Sequence, residues 1–327
     1  MNILVTGGAG FIGSHLVEAL AQQGHHVTVI DDLSAGKRSF VARAEKQFAI
    51  RFVQGSTLDR AILKELIDDT DLIFHMAAVL GVKNTVEDPL KVIEGNIDGT
   101  RNVLELASSR NDKVIFASTS EVYGKNNQLP FTEESSRVLG PTTTHRWCYA
   151  AAKALDEHMC FAYADKGLPV TVVRYFNIFG PRAIATQYGG VIPNFISAAI
   201  SGKPIRVFGT GEQTRCFTFI SDAINGTLAC MDRKYDGHAF NIGTEHEISI
   251  NKLAEKIKKL TGSSSEIIHI PYEKAYGKGY EDTPNRVPDL SKARALLQYQ
   301  PSIDIDEGLR HTIEWFRNEA GGRHAEG

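Results

Sequence analysis

Apolar residues in the first half of the chain follow two alternating spacings, which predict alternating strands and helices. Short apolar runs, each typical of a buried strand, occupy residues 1–5, 26–30, 51–54, 71–75, 113–117 and 170–175. The segments 59–68, 89–109 and 146–166 instead show the three-to-four-residue spacing of one helix face. Strands and helices that alternate in this way favour a parallel sheet covered on both faces. We therefore predict an α/β fold with a doubly wound parallel sheet.

The pattern becomes irregular after residue 177, where glycines and prolines cluster as far as Gly211. Further helices are predicted near 191–201, 221–231, 249–260, 291–297 and 306–319, and further strands at 205–208, 217–219 and 239–242. We predict a first domain of residues 1–177 that also receives about 217–245, a smaller C-terminal α/β lobe of 178–216 and 246–320, and a tail at 321–327. Because ligands of open α/β sheets lie beyond the carboxyl ends of the strands, the lobe should close over that edge.

Composition and charge narrow the classes of partner. The chain has 327 residues, a formal net charge of −3 and a pI near 6.4, which provide no electrostatic footprint for nucleic acid or an anionic membrane. No apolar run approaches the roughly twenty residues of a membrane span, and the N-terminus lacks a basic leader. The four cysteines show neither metal-ligand spacing nor a disulfide framework. We expect a cytoplasmic protein with reduced thiols, no metal, no nucleic-acid partner and no membrane partner.

A glycine-rich segment, Thr6 to Gly13, follows the first apolar run and leads directly into a helical pattern. Gly7 can adopt turn dihedral angles that a side chain would forbid, Gly10 lets the backbone approach a pyrophosphate, and Gly13 lets the helix pack on the strand. The N–H groups and dipole at the start of that helix form an anion site. The order of strand, turn and helix therefore predicts a dinucleotide site.

The second apolar run ends in Asp31, about the expected twenty residues further on. A carboxylate at this position can accept a hydrogen bond from a ribose 2′-OH and would repel a 2′-phosphate. Asp32 follows where an NADP-binding protein would favour arginine. These features favour NAD over NADP.

Tyr149 and Lys153 are the first candidates for chemistry, because their four-residue spacing puts them on one helix face. An ammonium near a phenol lowers the phenol's pKa, so tyrosine becomes a usable base near neutral pH. Thr119, at the end of a strand, could share the proton path. A Tyr–Lys pair alone is usually exposed to solvent and has no catalytic role. Here it accompanies a nucleotide-binding turn and a strand end rich in Ser and Thr, which favours a catalytic role.

These motifs together resemble the extended short-chain dehydrogenases/reductases of the nucleotide-sugar epimerase, dehydratase and decarboxylase group. The resemblance covers almost the whole chain and rests on residues 6–13, 75–78, 96 with 99–100, 118–124, 149–153 and 176–182. It implies a Rossmann fold and a bound NAD that is used and regenerated within one catalytic cycle. By the same resemblance, Tyr149 takes the proton of the sugar 4-OH, Lys153 holds the nicotinamide ribose, and Thr119 hydrogen-bonds the 4-oxygen.

The resemblance also implies the residues that bind cofactor and substrate. The cofactor positions are Gly7, Gly10, Phe11, Ile12, Gly13, Asp31, Asp32, Ser34, Ser56, Ala77, Ala78, Asn96 and Lys153. Ser56 departs from the family, which usually has aspartate there to meet the adenine. Asn177, Arg215 and Arg286 resemble diphosphate-binding positions, and Phe208 with the backbone at Val191 resembles the wall that binds the base, usually uridine. A UDP-sugar is the implied substrate.

Three reactions branch from a 4-keto sugar, and residues 120 and 121 partly discriminate among them. The 4,6-dehydratases of this group usually have an aspartate, which acts as general acid, at the position of Ser120. Serine cannot act as an effective general acid near pH 7, so dehydration is disfavoured. Thr119-Ser120-Glu121 resembles UDP-glucuronate decarboxylases, and Ser120 and Glu121 would be catalytic there. In an epimerase, Glu121 could instead only position the sugar.

Other stretches favour epimerisation. Decarboxylases tend to have an arginine before the valine in 188–191, which this chain lacks, and segments 140–147 and 276–282 resemble bacterial UDP-sugar 4-epimerases. Segment 276–282 also resembles a decarboxylase of the 4-amino-arabinose pathway. We predict an NAD-dependent UDP-sugar 4-epimerase, with UDP-glucuronate decarboxylase as the alternative. A nucleotide-sugar 4,6-dehydratase is favoured less than either.

Two further expectations concern turnover and assembly. A nucleotide-binding scaffold without turnover is disfavoured, because such relatives typically lose the Tyr–Lys pair that this chain keeps. By resemblance, the helices near 91–109 and 149–166 would pair with those of a second subunit in a four-helix bundle. The same apolar positions could also face the chain's own sheet. We expect a homodimer.

Overall fold

The computed structural model describes residues 1–81, 85, 87–185, 190–276 and 281–322. Within these residues the strands β1 to β13 are Asn2–Thr6, His26–Asp31, Ile50–Gln54, Leu72–His75, Lys113–Thr119, Val170–Tyr175, Ile178–Phe179, Ile205–Phe208, Thr214–Cys216, Thr218–Phe219, His238–Ile242, Glu247–Ser249 and Ile267–Ile270. Helices α1 to α11 are Phe11–Gln22, Arg38–Gln47, Arg60–Asp68, Pro89–Arg110, Cys148–Ala164, Val191–Ile200, Ile220–Ala229, Ile250–Thr261, Tyr272–Tyr276, Ser291–Leu297 and Ile305–Gly322. Short 3₁₀ helices occupy Ser120–Tyr123, His145–Trp147 and Arg233–Tyr235.

Seven strands form the central sheet, in the order β11-β6-β5-β4-β1-β2-β3. Every neighbouring pair in it is parallel. The order reverses at β1, so the carboxyl ends of β1 and β4 border the crevice where open sheets of this kind bind ligands. The predicted doubly wound parallel sheet is confirmed.

The two faces of the sheet bury separate apolar cores, as the two-residue period of strand side chains requires. Ile3 and Val5 of β1 pack into one core with helix α1, whereas Leu4 packs into the other with helices α3 and α4. Strands β4 and β6 are buried at every position, because helices cover them on both sides. This double covering explains why their sequences are mostly apolar and do not alternate between apolar and polar residues.

Helix α2 was not predicted, because only Phe40, Val41 and Ala44 of its ten residues are buried. Such a short apolar pattern on a polar segment does not repeat often enough to indicate a helix from the sequence. The remaining predicted strands of the sheet and the helices between them are present, with ends that differ by a few residues.

Beyond β6 the chain forms small two-stranded sheets that pair β7 with β10, β8 with β13, and β9 with β12. The predicted strand at 217–219 corresponds to β10, Thr218–Phe219, whereas β7, β9, β12 and β13 were not predicted. Helix α11 ends at Gly322 and so includes the first two residues, 321 and 322, of the predicted tail. Residues 323–327 lie outside the described residues. The assignment of two lobes stays a prediction.

Two expectations from composition can be compared with the structure. All four cysteines are free thiols, and Cys160, Cys216 and Cys230 are buried. Among the described residues, no helix combines the length and the apolar character needed to cross a bilayer.

Candidate active site

The glycine turn after β1 is built so that a side chain at Gly7 or Gly13 would collide with backbone. Gly7 has a φ of +68°, and a Cβ there would lie 2.7 Å from the Ala77 nitrogen. A Cβ at Gly13 would lie 2.2 Å from the Gly7 carbonyl oxygen, which explains its packing role. Helix α1 begins after Gly10 without a side-chain cap, so N–H groups of its first turn are available to an anion. The turn therefore fits the pyrophosphate of a dinucleotide.

Asp31 ends β2 and fastens the glycine turn to it. Its carboxylate accepts hydrogen bonds from the Ala9 nitrogen at 2.9 Å and the Leu33 nitrogen at 2.8 Å. Burial raises the pKa of Asp31, and these backbone hydrogen bonds oppose the rise. Since an ionised carboxylate offers about four acceptor positions, two remain for ribose hydroxyls. Asp32 forms a turn with Ser34, whose nitrogen donates to the Asp32 carboxylate at 2.9 Å.

Other predicted cofactor residues hold the backbone around the crevice. Ser56 Oγ accepts from the Leu58 nitrogen at 3.2 Å, which makes it a turn residue. Buried Asn96 donates to the Val79 oxygen at 2.8 Å and accepts from the Val79 nitrogen at 3.2 Å. Asn96 thereby fixes the backbone at Val79, directly after Ala77 and Ala78. Its side chain contributes to the shape of the crevice by holding this backbone in place.

Tyr149 and Lys153 lie on helix α5, close to the end of β5. Tyr149 is half-buried, whereas Lys153 is 1% exposed. The Lys153 ammonium lies 3.8 Å from the centre of the Phe116 ring and 3.5 Å from Asp156 Oδ2. At the end of β5, Thr119 Oγ accepts from the Glu121 nitrogen at 3.2 Å. The candidate base, lysine and hydroxyl thus come from one helix and one strand end.

The electrostatics of Tyr149 differ from the expectation that a neighbouring ammonium lowers its pKa. Burial raises the pKa of Tyr149, and the charges of Glu121 and Asp156 raise it further. Lys153 has its ammonium beside Asp156, and burial lowers the pKa of Lys153 while Asp156 opposes this. A four-residue spacing places two side chains on one face but does not reveal a third group that neutralises one of them.

Glu121 lies at the centre of a cluster with two buried arginines, Arg146 and Arg286. Arg146 binds the Glu121 carboxylate with both terminal nitrogens, one of them at 3.1 Å. Arg286 Nη1 lies 3.4 Å from Glu121 Oε1 and 3.3 Å from Ser120 Oγ. Burial alone would raise the pKa of Glu121, but the two guanidinium groups outweigh it and hold this pKa at about 2. Glu121 is therefore a fixed carboxylate near neutral pH.

The positions of Arg286 and Arg146 were not foreseen. Arg286 was expected at the diphosphate, but it lies beside Ser120 and Glu121, and the charge of Arg215 contributes to lowering its pKa behind the larger effect of burial. Arg146 lies in segment 140–147, which the sequence analysis used only for its resemblance to bacterial UDP-sugar 4-epimerases. No spacing rule connects either residue with Glu121, because the three come from separate parts of the chain.

A cavity of about 250 Å³ lies next to this cluster, between α6, β8 and β9. Four of the five predicted substrate-binding residues line it: Asn177, Val191, Phe208 and Arg215. Arg215 Nη2 donates to Asp282 Oδ1 at 2.8 Å, so its guanidinium is held in place. Asp282 also accepts from the Tyr272 hydroxyl at 2.9 Å.

The sequence did not single out Tyr272 or Asp282 as cavity residues. Asp282 was noted only within segment 276–282, and its long-range contact with Arg215 has no sequence signal. Residues 188–189 and 277–280, which bore on the choice between epimerase and decarboxylase, lie outside the described residues.

Comparisons with known proteins identify a family and several relatives that the chain resembles. Residues 3–243 match the model of the NAD dependent epimerase/dehydratase family. The chain is 50% identical over 314 residues to the UDP-N-acetyl-alpha-D-glucosaminuronate decarboxylase of Bacillus cytotoxicus, which covers 96% of this chain and 97% of that protein.

Two solved structures are similar to the whole chain. The UDP-glucose 4-epimerase of Thermotoga maritima, solved with UDP-glucose, has a TM-score of 0.89 and 33% identity, covering 98% of this chain and 100% of that one. The UDP-glucuronic acid 4-epimerase of Bacillus cereus, solved with UDP-glucuronic acid and NAD, has a TM-score of 0.86 and 30% identity, with the same coverage.

Proposed function

Because the chain belongs to the NAD-dependent epimerase/dehydratase family, we propose that it uses NAD to remove the C6 carboxylate of a UDP-uronic acid. UDP-N-acetylglucosaminuronate is the first substrate to test, since the relative with 50% identity is named as a decarboxylase of that sugar nucleotide. This proposal replaces the expected 4-epimerase with the decarboxylase alternative. The comparisons support the alternative more strongly than epimerisation.

The observation that carries the proposal is the pair of arginines around Glu121. Arg146 and Arg286 bring two positive charges to a buried site that contains one carboxylate, and the buried Nε of Arg286 has no hydrogen-bond partner among the described residues. A buried charge without a counter-charge is costly. A uronate carboxylate would complete this cluster with charge-assisted hydrogen bonds, whereas the hydroxymethyl group of a neutral hexose would not.

The glycine turn and Asp31 would hold NAD, which would supply a hydride acceptor for the oxidation of C4 and a hydride donor for its later reduction. Tyr149 removes the proton of the 4-OH, and the Thr119 hydroxyl stabilises the 4-oxygen. The resulting ketone is β to the C6 carboxylate, so the C5–C6 bonding electrons can move into an enolate as carbon dioxide leaves. C5 then takes a proton from water, because Glu121, with its pKa held at about 2, has no proton to give near neutral pH. Tyr149 keeps the proton taken from the 4-OH and returns it to the 4-oxygen when C4 is reduced again.

Product analysis tests the proposal. The protein is incubated with NAD and UDP-N-acetylglucosaminuronate, UDP-glucuronate, UDP-glucose or UDP-N-acetylglucosamine, and products are analysed by mass spectrometry and proton NMR. We expect a uronate to lose one carbon dioxide and gain a CH₂ at C5. Arg286→Gln should lower this rate by about 100-fold or more, whereas Arg294→Gln, which breaks an exposed ion pair with Glu245, should not. An unchanged mass with inversion at C4 would refute decarboxylation.

A UDP-sugar 4-epimerase is the second candidate, and the solved epimerases favour it. One of them was solved with UDP-glucuronic acid, so an epimerase can accommodate a uronate. A cluster that recognises a carboxylate therefore does not by itself separate the two reactions. The mass of the product does, because epimerisation retains C6.

We also propose that two copies pair through α4 and α5. These helices pack against each other within the chain, and Leu90 and Leu155 leave 64% and 46% of their surfaces exposed. Light scattering at micromolar concentration should give twice the mass of one chain. A monomer would refute the dimer.

A further inference from the structure

We propose that Asp156 is a positioning residue that acts as the buried counter-ion of Lys153 and thereby sets the pH range in which Tyr149 and Lys153 work. This inference rests on the role proposed for the Tyr149–Lys153 pair. It does not depend on whether the reaction is a decarboxylation or an epimerisation.

The first argument is the geometry of the pair. Asp156 is 0% exposed, and its Oδ2 lies 3.5 Å from the Lys153 ammonium on the same helix. In the part of the chain that the structure describes, neither carboxylate oxygen accepts a hydrogen bond of good geometry. Removing one partner of a buried ion pair leaves the other charge uncompensated. The carboxylate is thus placed to interact mainly with Lys153.

The other groups around Asp156 do not replace it. From α5 itself, Glu157 is bound by Arg174 at 2.9 and 2.6 Å and accepts from the Ser118 hydroxyl at 2.5 Å. The Cys160 thiol, whose pKa burial raises well above its usual value, remains neutral. Asp156 is therefore the acidic group on α5 that is left for Lys153.

The groups that face the pair from other elements are either uncharged or already paired with groups of opposite charge. The Thr100 hydroxyl on α4 lies beside the Asp156 carboxylate and accepts or donates a hydrogen bond with His75 Nε2 at 3.2 Å. Burial, followed by the charge of Lys153, lowers the pKa of His75 on β4 to about 3, so this histidine is uncharged near neutral pH. Glu121 faces Tyr149 from the 3₁₀ helix that follows β5, and Arg146 and Arg286 already neutralise it.

Asp156 is expected to shift the pKa values of Lys153 and Tyr149 in the same direction. Its negative charge opposes the fall in the Lys153 pKa caused by burial, and it adds to the rise in the Tyr149 pKa. If Asp156 becomes neutral, both pKa values should fall. The two limbs of the pH profile, which report the loss of protons from the Tyr149–Lys153 pair, should then both move to lower pH.

The direct test measures the pKa of Lys153 by NMR of the full-length protein with ¹³C-labelled lysine side chains, assigned by loss of the signal in Lys153→Arg. We expect Asp156→Asn and Asp156→Ser to lower this pKa by about one pH unit or more. Asp156→Glu should largely restore it. Asp165→Asn makes the same change at an exposed position at the end of the same helix and should leave it unchanged.

The second measurement is the pH profile of kcat/KM with whichever UDP-sugar is turned over. Both limbs should move to lower pH in the neutral variants, which a merely structural defect would not produce. An unchanged Lys153 pKa in a folded neutral variant would overturn the proposal, and so would failure of both neutral variants to fold. Because the NMR measurement needs no turnover, failure of the proposed reaction would leave its result intact.

Discussion

Replacing Glu121 by glutamine should destabilise the folded protein, even though Glu121 lies in the candidate active site. The substitution keeps the shape of the side chain but removes the negative charge between Arg146 and Arg286. These arginines are 8% and 5% exposed, so water cannot easily compensate for the lost carboxylate. The two guanidinium groups would then repel each other in a buried site.

The size of this effect follows from the pKa of Glu121. Its value in the folded protein is about 2, against a usual 4.5. At about 1.4 kcal/mol for each pKa unit, the ionised carboxylate contributes about 3 kcal/mol to the free energy of unfolding at pH 7. Since the folded pKa is the lower one, this stabilisation is present above pH 4.5 and is lost as the pH falls towards 2. About 1 kcal/mol of it should be gone at pH 4.

Urea denaturation of the wild type and Glu121→Gln at pH 7 and pH 4 tests this argument. We expect the variant to be less stable by about 3 kcal/mol at pH 7, with a difference that is smaller by about 1 kcal/mol at pH 4. Glu65→Gln is the matched control, because Glu65 is 75% exposed and its nearest cation, Arg51, is 3.4 Å away. Exposed pairs of this kind contribute at most about 1 kcal/mol. Equal stability of Glu121→Gln and the wild type at pH 7 would show that the two arginines do not depend on Glu121.

Three further predictions concern the cofactor turn and the base. Tyr149→Phe should lower kcat at least about 100-fold, with NAD affinity retained in calorimetry; unchanged turnover would exclude Tyr149 as the base. Backbone strain alone at a positive φ costs about 1–3 kcal/mol. Gly7→Ala should lower the free energy of unfolding by more than this, because its Cβ would collide with the Ala77 nitrogen. Gly24→Ala, at φ +81° with no atom within 4 Å of its Cβ, should show the strain alone. Asp31→Asn should reduce the preference for NAD over NADP about tenfold in calorimetric titrations, and an unchanged ratio would show that the carboxylate does not select the cofactor.

The sheet could be predicted from the sequence because its strands are buried on both faces. Strands such as Leu72–His75 and Val170–Tyr175 have no face exposed to solvent, so apolar residues predominate at successive positions. This pattern can be recognised without knowledge of the fold. Residues 178–216 lack this regularity. Their short strands pair with distant segments, as β8 does with β13, and such pairing depends on tertiary contacts that local patterns do not contain.

The candidate site divides in the same way. Gly7, Asp31, Tyr149 and Lys153 could be identified because each lies at a fixed distance along the chain from a strand or helix end. Arg286 could not be placed, because it reaches Ser120 and Glu121 from 166 and 165 positions away. Local spacing therefore identifies the residues that we propose for the oxidation of C4. The residues that we propose to face the substituent at C5 come together only through long-range folding.

This division explains why the reaction was harder to predict than the cofactor. Epimerisation and decarboxylation share the oxidation of C4, so the glycine turn and the Tyr149–Lys153 pair serve both equally well. The two reactions diverge at C5 and C6, which we propose to lie near Ser120, Glu121 and Arg286. These three residues lie close together in the folded chain. A guanidinium there can hold a carboxylate in either reaction, but only a decarboxylase must let it leave and then protonate C5. The product of a uronate substrate is consequently the measurement on which the assignment of this protein depends.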